Sequence, residues 1–171
     1  MSLEEDTSLV PLEVLGVTIY GASHPLVILR HEDRFLPIVV GTAEADAIHA
    51  ALEKRDLGRP MTHDLICNLM AGLGGDLKSV IVYKLENETF YAHLNIEQSN
   101  AEGGVAQVLR VDSRPSDGIA IACRLNAPIF AAQEVMDQAS QDMALLSQDT
   151  EDDDESDGEG EDESEGEFDL G

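Results

Sequence analysis

The chain has 171 residues, of which 35 are Asp or Glu and 10 are Lys or Arg, giving a formal net charge of -25; 43% are hydrophobic and 4% aromatic. A chain of this length buries about two-thirds of the surface its unfolded form exposes, which allows one domain of ordinary size and excludes two large ones. No stretch approaches the roughly 20 consecutive apolar residues that cross a bilayer, and the start Met1-Ser2-Leu3-Glu4-Glu5-Asp6 is acidic where a secretory leader is basic and then apolar. A soluble, cytoplasmic protein without membrane association is expected.

Residues 1–10 read as a polar arm and 11–148 as the folded domain. Leu12 to Tyr20, Leu26 to Arg30 and Phe35 to Val40 carry branched and apolar residues in strand patterns, joined by turns at His24-Pro25 and Glu32-Asp33. Thr42 is the expected N-cap of a first helix with Ile48, Ala51 and Leu52 on one stripe, ending near Lys54-Arg55. Thr62 is the expected N-cap of a second, with Leu65, Ile66, Leu69, Met70 and Leu73 on one face and Gly72, Gly74 and Gly75 ending it. Strands follow at Leu77 to Leu85, Thr89 to Glu97 and Val105 to Val111; in the middle one Phe90, Ala92, Leu94 and Ile96 face one way and Tyr91, His93 and Asn95 the other. Pro115 opens a third helix to Leu125, stopped by Asn126; a short strand Pro128 to Ala131 and a helix from Glu134 to about Leu146 complete the domain. The order β-β-β-α-α-β-β-β-α-β-α defines an α+β fold, helices packed on a mainly antiparallel, mixed sheet.

From Asp149 to Gly171 there are 14 acidic residues and no Lys or Arg, which leaves 21 acids against all ten bases, a net of -11, on residues 1–148. So polar a segment does not offset the entropy of ordering its backbone, and 149–171 is read as a disordered acidic tail, either solvating or competing for a cationic site. Cys67 and Cys123 have no CxxC or metal spacing and are read as buried, reduced thiols.

The most informative local feature occurs twice. Arg59-Pro60-Met61-Thr62-His63-Asp64 and Arg114-Pro115-Ser116-Asp117 each run an Arg-Pro pair into a helix whose first turn carries a hydroxyl and an Asp. Capping and the helix dipole explain the hydroxyls and carboxylates, but not the Arg and His residues. Free backbone N–H groups at a helix start beside a guanidinium fork also suit phosphate, so structural capping and phosphate chemistry both stay open, and the two starts are expected to meet in space. His63 with Asp64, and Asp112 with Asp117, are the candidates for acid–base work; Asp112 and Asp117 are also the candidates to hold a divalent ion such as Mg²⁺ or Mn²⁺. His24, His31 and His49 read as surface histidines, whereas His93 beside Tyr91 either lines a groove with Arg110 and Asp112 or belongs to a polar cross-strand face. No Walker loop, GxSxG elbow, HExxH or paired CxxC is present. The acidity opposes tight nonspecific binding of nucleic acid, which draws its affinity from Lys and Arg.

The segments LPIVVGTAEADAI, RPMTHDLI, TFYAHL and DSRPSDGIAIACRLNAPIFAAQEV, in this order and spacing, resemble the bifunctional nuclease domain family over about Leu12 to Ala139. The resemblance implies a small α+β domain acting on DNA or RNA, with the family's recurrent polar residues falling on Glu44, Arg59, Thr62, His63, Asp64, Asp112, Arg114, Ser116 and Asp117. Gly118 departs from it, standing where the family usually has Ala. The expected function is therefore a nuclease hydrolysing phosphodiester bonds, with Arg59, Thr62, Arg114 and Ser116 on substrate and His63, Asp64, Asp112 and Asp117 in catalysis. The alternative is a non-catalytic anion- or protein-binding module using the same helix starts. A homo-oligomer is expected in either case.

Overall fold

A computed structural model describes residues 8–20, 24–56, 58–100 and 104–144. The N-terminal residues 1–7 and the acidic segment 149–171 lie outside them, as do Leu145 and Leu146 at the expected end of the last helix. The elements are β1 (Leu9–Tyr20), β2 (His24–His31), β3 (Arg34–Val39), α1 (Thr42–Leu52), α2 (Thr62–Gly72), β4 (Gly75–Glu86), β5 (Thr89–Ser99), β6 (Val105–Ser113), α3 (Pro115–Leu125), β7 (Ile129–Ala132), α4 (Gln133–Ala139) and β8 (Gln141–Asp142). The sequence order of strands and helices is the expected one, with β8 added.

The eight strands form one mixed sheet in the order β6-β5-β4-β7-β1-β2-β3-β8. All pairings are antiparallel except β4 with β7, where Val80, Ile81 and Val82 lie beside Ile129, Phe130 and Ala131. β1 serves two neighbours in succession: Leu9 to Leu12 pair with β7, and Glu13 to Tyr20 pair with β2. Helix α3 packs on β4 and β5 and is flanked by α1 and α2, while α4 lies against β3, β4 and β7. The core between sheet and helices is built on Val27, Leu29, Leu36, Ile48, Val80, Val82, Ile119 and Val135, all fully buried.

Several local expectations are corrected. The N-caps of α1 and α2 are Gly41 and Met61, so that Thr42 and Thr62 are first helical residues, and no cap side chain bonds the helix. What replaces the hydroxyl cap at α2 is an acid at the third helical position: the Asp64 carboxylate accepts the Met61 N–H at 2.8 Å. Helix α4 stops at Ala139, because Ser140 leaves the helical region and Gln141 and Asp142 pair with Phe35 and Arg34 at the sheet edge. The apolar stripe of α2 is not its core face: only Cys67 is buried there, while Leu65, Leu69 and Leu73 are exposed.

Helix α3 is buried on most sides, including Ser116, Gly118, Ile119 and Ala120. It comes so close to the sheet that a Cβ on Gly118 would lie 2.8 Å from Val80 Cγ1. Gly118→Ala is therefore expected to lower stability, by about 1–3 kcal/mol of overpacking against a helix-propensity gain of about 1 kcal/mol. Denaturant unfolding of Gly118→Ala, Val80→Ala and the double variant checks this: the double variant should be more stable than the sum of the single losses implies.

Candidate active site

The starts of α1, α2 and α3 converge on one side of the sheet. Each carries an acid at its third helical position, Glu44, Asp64 and Asp117, where a carboxylate meets unpaired N–H groups and the positive end of the helix dipole. Three starts packed together accumulate negative charge, and cations from other turns are needed to neutralise it.

Arg114, the N-cap of α3, supplies one of them. Its guanidinium donates from Nε to Asp117 Oδ2 at 2.8 Å and from Nη2 to Asp117 Oδ1 at 3.2 Å, while Nη1 donates to Glu44 Oε1 at 2.9 Å. One side chain thus ties α1 to α3, and it stays largely exposed. Arg124, from the last turn of the same helix, supplies the other. Its Nε donates to Asp64 Oδ1 at 2.5 Å, and Nη1 donates to the carbonyls of Ala47 at 3.0 Å and Ala120 at 2.9 Å. That joins all three helices at a site where the Arg124 side chain is 11% exposed.

His63, at the second position of α2, reaches across to α3 and places Nε2 3.1 Å from Asp117 Oδ1. A carboxylate only accepts, so Nε2 carries the proton and the neutral ring keeps its lone pair on Nδ1. Burial raises the Asp117 pKa, but hydrogen bonds from Arg114 and His63 outweigh it and hold the carboxyl below its ordinary value. Arg124 and then the Met61 N–H hold Asp64 low in the same way. Asp117 and then Glu44 push Arg114 further up.

These residues border a cleft of about 1100 Å³ whose walls include Glu44, Thr62, His63, Asp112, Arg114 and Asp117, with Ile66, Leu94 and Val111 as an apolar side. The two Arg-Pro helix starts meet here through His63 and Asp117. Arg59 is exposed, does not line the cleft, and makes no hydrogen bond among the described residues. Ser116 is buried behind the cleft wall. The Asp64 carboxylate is bound by Arg124 and by backbone rather than presented to the cleft. Among the described residues no three His, Cys, Asp or Glu side chains lie close enough to hold a metal ion. Both Asp117 oxygens accept hydrogen bonds, Oδ1 from His63 and Arg114 and Oδ2 from Arg114.

His93 faces away from the helices, opposite Asp112 in the strand register and with its ring 5.2 Å from Tyr83. Its Nε2 is buried without a hydrogen-bond partner, and burial, followed by the nearby Arg110, lowers its pKa. Cys67 is buried and Cys123 half-buried; both are free thiols whose pKa burial raises. Among the described residues no helix is long and apolar enough to cross a membrane.

Arg124 is the residue of this cluster that the sequence does not single out, since a cation in a last helical turn reads as a partner for the dipole. Its signal was its place on the buried side of a helix, where an unpaired guanidinium is too costly to leave alone.

This fold, with its cleft of converging helix starts, belongs to a family identifiable from the sequence. The sequence model of the bifunctional nuclease domain matches residues 27–144, and the chain belongs to that family. An uncharacterized protein of Mycobacterium tuberculosis is 37% identical over 131 residues, 75% of this chain and 74% of its own length. Bifunctional nuclease 1 of Arabidopsis thaliana is 30% identical over 111 residues, 63% of this chain and 33% of the plant protein. Bifunctional nuclease 2 of Oryza sativa subsp. japonica is 30% identical over 112 residues, 64% of this chain and 34% of its own length. The matched region is about a third of each plant protein.

Proposed function

We propose that the chain is a nuclease hydrolysing phosphodiester bonds of DNA or RNA in the cleft between α1, α2 and α3. The observation that carries this reading is the His63–Asp117–Arg114 cluster, an imidazole oriented by a carboxylate next to an exposed guanidinium, in a chain of the bifunctional nuclease family. Arg114 binds the phosphate by giving up one of its carboxylate partners, and Thr62 donates from the lip of the cleft. Arg59 contacts the nucleic-acid backbone outside it. His63 Nδ1 takes the proton of the attacking water as its oxygen bonds to phosphorus, Asp117 holds the ring, and as the bridging P–O bond breaks the departing oxygen takes a proton from bulk water. Asp64 acts through Arg124 as a positioning residue. Free Cys67 and Cys123 support a reducing, cytoplasmic setting.

The test is cleavage of end-labelled single-stranded DNA and RNA by the full chain, with added Mg²⁺ or Mn²⁺ and with chelator. Cleavage that Asp117→Asn abolishes while circular dichroism and melting stay near wild type is the expected result. Binding without cleavage under every condition would leave an anion-binding module instead.

A further inference from the structure

Strand β6 ends the sheet, and its row of main-chain groups on the side away from β5 has no strand partner among the described residues. Its nine residues are exposed along almost the whole length, including both faces, with Val108 at 67%. Natural edge strands are usually short or are blunted by charge, proline, a bulge or a covering element. Here Leu109 and Val111, on the helix side, are also left open, although Val111 and Ile66 line the same cleft. Helical spacing puts Ile66, Leu69 and Leu73 on one stripe, all exposed, with Leu73 at 70%, and Ile66 shares the cleft lining with Val111. Stripe and strand both leave large apolar side chains in water, which monomers seldom do in clusters.

The charges on this edge are self-complementary. Arg110 and Asp112 lie two residues apart on the same face of β6, exposed, and neither makes an ion pair among the described residues. In an antiparallel pairing of β6 with another β6 centred on Val111, Arg110 falls opposite Asp112 of the second copy, and Asp112 opposite its Arg110. Val111 then meets Val111, and Leu109 meets Ser113. A two-fold contact requires this reciprocity, which an unrelated partner has no reason to match.

We infer that a second copy of this chain docks on β6 and the α2 stripe, pairing the two β6 edges antiparallel about Val111 and continuing the sheet across a two-fold axis. Because Val111 lines the cleft, the two clefts then open side by side along the joint. This inference does not depend on the nuclease reading, and neither does its test.

Sedimentation velocity of the full chain at micromolar concentration should show a dimer. Arg110→Asp should weaken it at least about tenfold, the double variant Arg110→Asp, Asp112→Arg should restore it, and Leu69→Asp should weaken it independently. Val111→Cys should form an inter-subunit disulfide on mild oxidation, since residues directly opposite in an antiparallel pair have Cα atoms about 4.5–5.5 Å apart, within disulfide reach. A monomeric wild type overturns the inference, as does a dimer indifferent to both Arg110→Asp and Leu69→Asp. A dimer that these changes weaken but that neither the charge swap restores nor Val111→Cys cross-links overturns the register.

Discussion

Arg124→Met is expected to destabilise the domain by about 2–4 kcal/mol, measured by denaturant unfolding at neutral pH. Breaking a fully buried ion pair from one side costs about 3–5 kcal/mol, because the abandoned charge keeps its desolvation penalty. The lower figure follows from Asp64, whose side chain is 35% exposed and partly rehydrates. Met fills much of the volume of the Arg stem, so the loss reports the guanidinium rather than a cavity. Arg124→Lys should recover little, since one ammonium does not reproduce the planar donors that reach Asp64 and the Ala47 and Ala120 carbonyls together. The loss depends on pH with a definite sign. Asp64 has a folded pKa below its unfolded value, so its contribution is fully present above the ordinary carboxylate range, near about 4, and disappears as pH falls through the folded pKa. The gap between wild type and Arg124→Met should narrow in acid; a gap that widens there would show that the pair with Asp64 is not what the substitution removes.

In the proposed reaction, His63→Gln should lower kcat by about 10²–10⁴, the usual range for a positioned acid or base, with KM little changed. Gln retains a donor for Asp117 but has no nitrogen lone pair to take a proton, so the helix contact survives while the chemistry does not. Arg114→Ala should divide the other way, raising KM more than it lowers kcat, since its role is to hold the phosphate. Steady-state cleavage of one oligonucleotide by the three proteins separates these assignments. Equal effects of His63→Gln on kcat and KM would make the histidine a binding group.

The element order was legible because β-branched runs, Pro115 at the start of α3 and Asn126 after it are local signals, and the left-handed Asn126 (φ 55°) ends the helix where its residue type suggested. Gly118 was visible as a departure, but its reason, the Val80 side chain pressing on α3, is a tertiary distance with no local trace. The caps of α1 and α2 were misplaced by one residue because Thr in a first turn resembles an N-cap, whereas each helix carries its acid two residues further on. The stripe on α2 was readable as apolar but not as exposed, since amphipathic spacing does not say whether the surface it faces belongs to the same chain. At the site, the doubled Arg-Pro motif pointed to the helix starts that meet. What it concealed was asymmetry: Arg114 joins two helices while Arg59 stays outside the cleft, a difference fixed by Glu44, 70 residues away from Arg114 in the chain.

The placement of β7 has a consequence for how the molecule is made. Leu9 pairs with Ala132 and Leu12 with Ile129, so the first strand of this sheet rests against nearly the last. Until β7 arrives, β4 and β1 have no shared neighbour, and the sheet consists of two separate meanders, β1-β2-β3 and β4-β5-β6. Loop closure over almost the whole domain must precede the central contacts, which is the topology of slow folders. Because α1 lies in the first part of the chain and α3 far along it, the cleft that they wall comes into being only when these two parts meet, after Leu125 has been translated.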